Sequence, residues 1–314
     1  MSDKAAGNKT VQEISPERKA RIDKILQHAI DPHVHSGPSI AQRSLDHLEL
    51  VQQMSAAGFD AVVTKDHDYA GTATAQLITK HFPNLRTKIF SSIVLNNAVG
   101  GMNPYAVEHT AAMGGKIVWM PTLAAENHLR WEKTSSWVHP ASTQKMRPAA
   151  PIPVVENGKV RDDVKEVLDV VAKNDMILAS GHIHVSETWL VFEEAQRRGV
   201  KKLVFTHPED IVGASLNDVQ GIAAMGAAIE HSLAMFVGKN NKLPGRTAED
   251  FRRQIDAGGV DNTIMCSDLG QMNQVSPLEG FQLGVDLCMD LGYSDADIHK
   301  MVSTNTARVL GLAA

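Results

Sequence analysis

The sequence predicts a closed (β/α)8 barrel of the TIM type, and three observations carry that expectation. Eight short apolar runs, each ending in polar residues, alternate with segments of helical period. Strands alternating with helices pair in parallel through right-handed crossovers, and eight such units close into a barrel. A length of 314 residues suits one domain of that kind. The polar residues also gather where the runs end, which in a barrel is the C-terminal mouth that carries active sites. An open doubly wound sheet is the competing architecture. Its dinucleotide-binding version is weakened because no GxGxxG follows the first strand.

Residues 1–14, beginning MSDKAAGNKT, read as a disordered tail, leaving 15–314 as a single domain. Ser15 and Pro16 suit the N-cap and first position of an opening helix. HAIDPHVH (28–35) is the first strand. AVVTKDHD (61–68), KIFSSIVLNN (88–97), KIVWMPT (116–122) and MILASGHIH (176–184) follow, then KLVFTHPED (202–210), GAAIEHS (226–232) and NTIMCSDLG (262–270). Helices are expected over 40–57, 72–82, 103–114, 160–174, 186–199, 215–225, 247–257 and 277–291. The fourth shows its period well, with Val164, Val167, Leu168 and Val171 on one face. SDADIHKMVSTNTARVLGL supplies a closing helix.

Residues 123–159 form a long connection after strand 4, carrying His128, Arg130, Trp131, Trp137, His139 and Arg147. A loop this long inside a compact domain is usually functional or disordered. Aromatic and basic side chains together favour a substrate lid or partner-contacting loop over a plain surface insertion or oligomer contact.

Composition narrows the partners. The chain is 43% hydrophobic and 21% charged with a formal charge of -5, so nothing suggests nucleic acid or an anionic membrane surface. Cys266 and Cys288 make no disulfide framework, which fits a reducing cytoplasm. No apolar run approaches the roughly 20 residues of a membrane span, and the first residues have no apolar signal core. A cytoplasmic protein acting on a small molecule is expected, with a homo-oligomer open.

In DPHVH, His33 and His35 stand at i and i+2, so on a strand both face one point, as a divalent metal requires. The bland alternative is a polar pair at a strand end. Further groups follow at other strand ends: Lys65, Asp66 and His67; His182 and His184; His207 and Glu209; Glu230 and His231; and Asp268. One strand-end histidine is ordinarily structural. Their recurrence around one mouth argues for a metal site, and imidazoles with a carboxylate suit Zn2+, Mn2+ or Fe2+. His47, His81, His109 and His299 fall in helices and read as structural or solvated.

DPHVH, ASGHI, FTHPE, CSDLGQ and the ending STNTARVLGL, in that order, resemble the amidohydrolase superfamily of metal-dependent barrel hydrolases, from about residue 28 onward. The resemblance implies one or two divalent metals per chain, Zn2+ first. His33 and His35 would hold the more buried metal with Asp268. His182 and His207 would hold the more exposed one, or in one-metal members help bind the metal or polarise the substrate. The implied reaction is hydrolysis of an amide, lactam, lactone or ester by metal-activated water, with Asp268 as general base and then acid. Asp31, Glu209 and Ser267 are candidates to fix the imidazole tautomers. His128, Arg130, Trp131 and Glu230 are candidate substrate contacts.

One departure matters. Two-metal members often carry a bridging carboxylated Lys or a Glu at the end of strand 4, where this chain has Met120 and Thr122. Lys65 on strand 2 is an atypical bridge, a cation for a substrate carboxylate or phosphate, or an ion-paired lysine. His67 is a third ligand or a substrate contact. The missing bridge leaves open a mononuclear decarboxylase or hydratase, with Lys65 and Arg130 or Arg147 gripping an acid. VVTKDHD also resembles the strand-2 stretch of phosphoesterases related to histidinol-phosphate phosphatase, which use a distorted barrel. A barrel that binds a partner around a structural metal is the non-enzymatic alternative.

Overall fold

A computed structural model describes residues 9–135, 142, 144–238, 240–242 and 245–312. Residues 1–8 of the expected tail, and Trp137 and His139 of the long connection, lie outside the described residues. Residues 9–14 of that tail are packed. Thr10 and Glu13 cap a short 3-10 turn over Val11–Glu13, Lys9 pairs with Asp286, and Ile14 is buried.

Eight parallel strands form the barrel: β1 Ile30–Val34, β2 Ala61–Thr64, β3 Lys88–Val94, β4 Ile117–Trp119, β5 Ile177–Ala179, β6 Lys202–Thr206, β7 Ala228–Ser232 and β8 Thr263–Cys266. Each ladders to the next in chain order. The seam between β8 and β1 is closed at the mouth, where the Asp268 N–H donates to the His33 carbonyl at 2.9 Å and the His35 N–H to the Leu269 carbonyl at 2.8 Å. Lower on the seam, the Asp31 carboxylate accepts the Ser267 N–H at 3.0 Å. Pro32 has no N–H to give a ladder, and the β1–β2 register shifts between Asp31 and Val34.

The ladders are shorter than the apolar runs suggested. Residues 65–68, 120–122, 180–184, 207–210 and 267–270 have left the sheet and form the mouth, so those polar ends are loops, whereas His33, Glu230 and His231 remain on strands. The helix expected from residue 40 begins at His47, because Asp46 and Glu49 form a reciprocal capping box there. Residues 40–46 instead run across the mouth, with Arg43 paired antiparallel to Gln271. The long connection is partly ordered as helix Glu126–Glu132 and a hairpin of Val155–Glu156 with Lys159–Val160.

Ile30, Val63, Val94, Trp119, Ile177 and Ile264 are among the apolar side chains that fill the barrel, and helix Asn305–Leu310 packs Ala307 and Leu310 against that cluster. The interior is therefore a packed floor beneath the mouth. Two larger clusters lie between sheet and helices. Among the described residues, no helix is long and apolar enough to cross a membrane.

Candidate metal centre and its cavity

His33, His35 and Asp268 meet at the seam because the same backbone bonds that close the barrel hold their strand ends together. Asp268 Oδ1 lies 3.2 Å from His33 Nε2 and 3.0 Å from His35 Nε2. The other ring nitrogens determine the tautomers. His35 Nδ1 donates to the Lys65 carbonyl at 2.8 Å, and His33 Nδ1 faces the Glu230 carboxylate at 3.0 Å. Both acceptors place a proton on Nδ1, which turns the two Nε2 atoms toward one carboxylate oxygen. The two Nε2 atoms and Asp268 Oδ1, all buried and mutually within 4.8 Å, converge as a set of groups able to ligate a cation. The donor set fits a divalent metal.

The electrostatics differ between the two imidazoles. Burial and the Lys65 cation oppose charge on His33, but Asp268 and Glu230 outweigh them and raise its pKa. Burial, with Arg43 nearby, holds His35 well below the usual imidazole range. Burial also opposes charge on Asp268, yet Lys242 and the imidazoles keep it well below the usual carboxylate range. Lys242 Nζ reaches Asp268 Oδ2 at 2.6 Å and its carbonyl at 3.1 Å, and Ser232 Oγ donates to Oδ2 at 3.0 Å. Asp268 has φ +49° and His207 φ +22°, conformations that non-glycine residues hold only when their surroundings enforce them.

Lys65 stands at the same point. Its Nζ is 3.1 Å from His33 Nε2 and 4.3 Å from the centre of the Trp119 ring. Burial lowers its pKa to about 8 against the pull of Asp268 and Glu230. At the end of β4, Met120 turns into the outer core and Thr122 Oγ1 sits 2.8 Å from both His67 Nδ1 and Asn96 Nδ2. That strand end therefore positions His67 rather than offering a bridging ligand.

A cavity of about 430 Å³ opens above this cluster. His35, Lys65, His67, His128, His182, His207, Trp131 and Asp268 all line it, although their segments span most of the chain. His182 Nδ1 lies 2.9 Å from His128 Nδ1, and the His182 and His207 rings are 5.0 Å apart. His207 Nδ1 is buried with no hydrogen-bond partner among the described residues, and burial pushes its pKa down to about 3. A neutral imidazole with an unshared ring nitrogen is suited to ligation. The Trp131 indole N–H is held by Asp210 at 2.9 Å.

Other expected residues lie elsewhere. Glu230 is sealed beneath the mouth against His33 and is no part of the cavity wall, so a substrate contact does not describe its position. Arg130 and Arg147 are exposed and are not on the wall. His184 caps helix Val185–Arg197, and Glu209 pairs with His231 at 2.6 Å beside Phe251. Arg43, Lys242 and Gln271 do line the cavity, yet sequence reasoning missed them. Arg43 lay in a segment read as helix, and Lys242 in a stretch with no periodicity.

A family model described as a family of unknown function (DUF6282) matches residues 28–230. No curated protein matches the chain. Among solved structures, an amidohydrolase from Pseudomonas aeruginosa superposes with a TM-score of 0.63 at 13% identity, covering 93% of this chain and 98% of the other. A putative 2-pyrone-4,6-dicarboxylic acid hydrolase from Pseudomonas putida gives 0.56 at 14%, covering 90% and 97%. A 2,6-dihydroxybenzoate decarboxylase from Rhizobium gives 0.54 at 10%, covering 91% and 99%. At such identities the likeness is one of fold, and it is to the barrel class that the sequence motifs suggested.

Proposed function

From the premise that the chain belongs to DUF6282, a family of unknown function, we propose that it is a metal-dependent hydrolase cleaving a C–N or C–O bond of a small molecule. The convergence of His33 Nε2, His35 Nε2 and Asp268 Oδ1 at the floor of a cavity carries this reading. These three residues would hold a divalent cation, with His207, His182 and His67 available around it. A cation there would supply Lewis-acid polarisation and lower the pKa of water toward neutrality.

The protein's own groups supply the proton handling. Asp268 is ionised and immobilised, with Oδ2 held by Ser232 and Lys242 and Oδ1 turned to the reacting side. It would take a proton from attacking water and return it to the leaving group. Glu230 fixes the His33 tautomer from below, as outer carboxylates do for ligating histidines. His128 and Trp131 would contact the substrate from the wall. Lys65 would act at the His33 edge, either as a cation or, once carboxylated, as a bridge to a second metal.

A second reading keeps the site and changes the chemistry. The lack of a bridging group at the β4 end favours a single metal, which suits a decarboxylase or hydratase. Metal content of the purified protein is the first test. We expect at least one divalent ion per chain, lost on replacing both His33 and His35 by Ala. A folded protein that binds none would overturn the proposal. Assays on lactones, amides and esters, against CO2 release from carboxylated aromatics, separate the two readings.

A further inference from the structure

We propose that the cavity takes a small molecule carrying one carboxylate, and that Arg43 is the residue that binds it. This rests on reading the cavity as a substrate site, but not on the metal or on the reaction. Arg43 and Gln271 face each other across an isolated antiparallel bridge at the mouth, and both line the cavity. Among the described residues, Arg43 Nε is buried with no hydrogen-bond partner and no carboxylate stands within salt-bridge distance of the guanidinium. Gln271 is half satisfied: its Nε2 donates to the Asp268 carbonyl at 3.1 Å while its Oε1 is buried without a partner among the described residues.

A buried donor left without a direct partner is costly. Arg43 is partly buried and its Nε wholly so; Asp66, Asp268 and Asp68 favour its charge from beyond salt-bridge distance, but none meets the fork directly. A ligand carboxylate would meet it with two parallel N–H···O bonds, the geometry for which arginine is suited. The other cations of the wall are engaged, Lys242 with Asp268 and Lys65 with His33. The field around Arg43 also includes Asp66, Asp68 and Asp268. One guanidinium in that field suits a single negative charge and disfavours a phosphate dianion. The apolar part of the lining, Ile40, Leu123, Leu129, Trp131 and Met146, suits an apolar or aromatic body.

The rival use of Arg43 is as a counter-charge to Asp66, whose Oδ2 is also buried and unpartnered. Calorimetric titration separates the two. Isovalerate, benzoate and phenylacetate, their neutral amides and inorganic phosphate would be titrated into the purified full chain, wild type, Arg43→Met and Arg43→Lys. At least one acid should bind the wild type tenfold or more tightly than its amide. Arg43→Met should erase that preference while amide affinity changes less than twofold, and Arg43→Lys should restore it only in part. Acids and amides binding alike, phosphate binding best, or a preference that survives Arg43→Met would each overturn the proposal. So would full recovery by Arg43→Lys, which keeps the charge opposite Asp66 but loses the fork. Asp268→Asn should keep the acid preference while losing turnover, so failure of the acid site and failure of the hydrolase reading are distinguishable.

Discussion

Asp268 serves the fold and the proposed chemistry through different atoms. Its backbone N–H closes the barrel on His33, its Oδ2 is fixed by Ser232 and Lys242, and its Oδ1 faces two imidazoles. Asp268→Asn keeps the backbone bonds and the volume but removes the base. Turnover should fall by about 10²–10⁴, while the circular dichroism spectrum stays native. Full activity in the folded variant would remove Asp268 from the proposed role. Glu230→Gln is the companion test, since it can no longer require the proton on His33 Nδ1. Metal affinity should weaken by roughly 10–100-fold, read by competition with a chromogenic chelator, and unchanged affinity would mean that His33 is oriented without it.

At the scale of elements, the mouth depends on a few sharp backbone features. Gly270 has φ +115°, and a Cβ there would stand 1.7 Å from the His35 carbonyl oxygen. Gly270→Ala should cost roughly 3 kcal/mol and disturb the His35–Asp268 pair together, so metal content should fall along with the urea midpoint. Helix His47–Ala56 starts where it does because Asp46 accepts the Glu49 N–H at 2.7 Å while Glu49 reaches back at 2.9 Å. Asp46→Ala should cost about 1 kcal/mol with metal content unchanged. A cost within error would mean that tertiary packing, not the cap, places the start of that helix and hence the 40–46 segment that carries Arg43.

For the whole molecule, the proposed site, assembled from both edges of the seam, would couple metal binding to barrel closure. A ligand that binds only the folded state stabilises it by about 2.7 kcal/mol at a hundred times its Kd. Chelation should therefore lower the melting temperature, and Zn2+ should restore it in the wild type but not after His33→Ala and His35→Ala together. Equal melting curves with and without metal would separate the cluster from metal binding.

The eight-fold alternation and its polar strand ends were legible in the sequence because periodicity and strand-end chemistry are local properties. From them follow the barrel, the mouth as the place proposed for chemistry, and the histidines that line its cavity. Strand lengths were overestimated because an apolar run continues past the last ladder bond: Lys65, His67 and His182 belong to the mouth loops. Tertiary structure alone decided that Glu230 lies under His33, that Lys242 clasps Asp268, and that Arg43, its Nε without a partner among the described residues, sits against Gln271. Each of those depends on which residues distant in the chain become neighbours when the seam closes. No single segment's pattern encodes that, because it is the closed ring of strands that sets those distances.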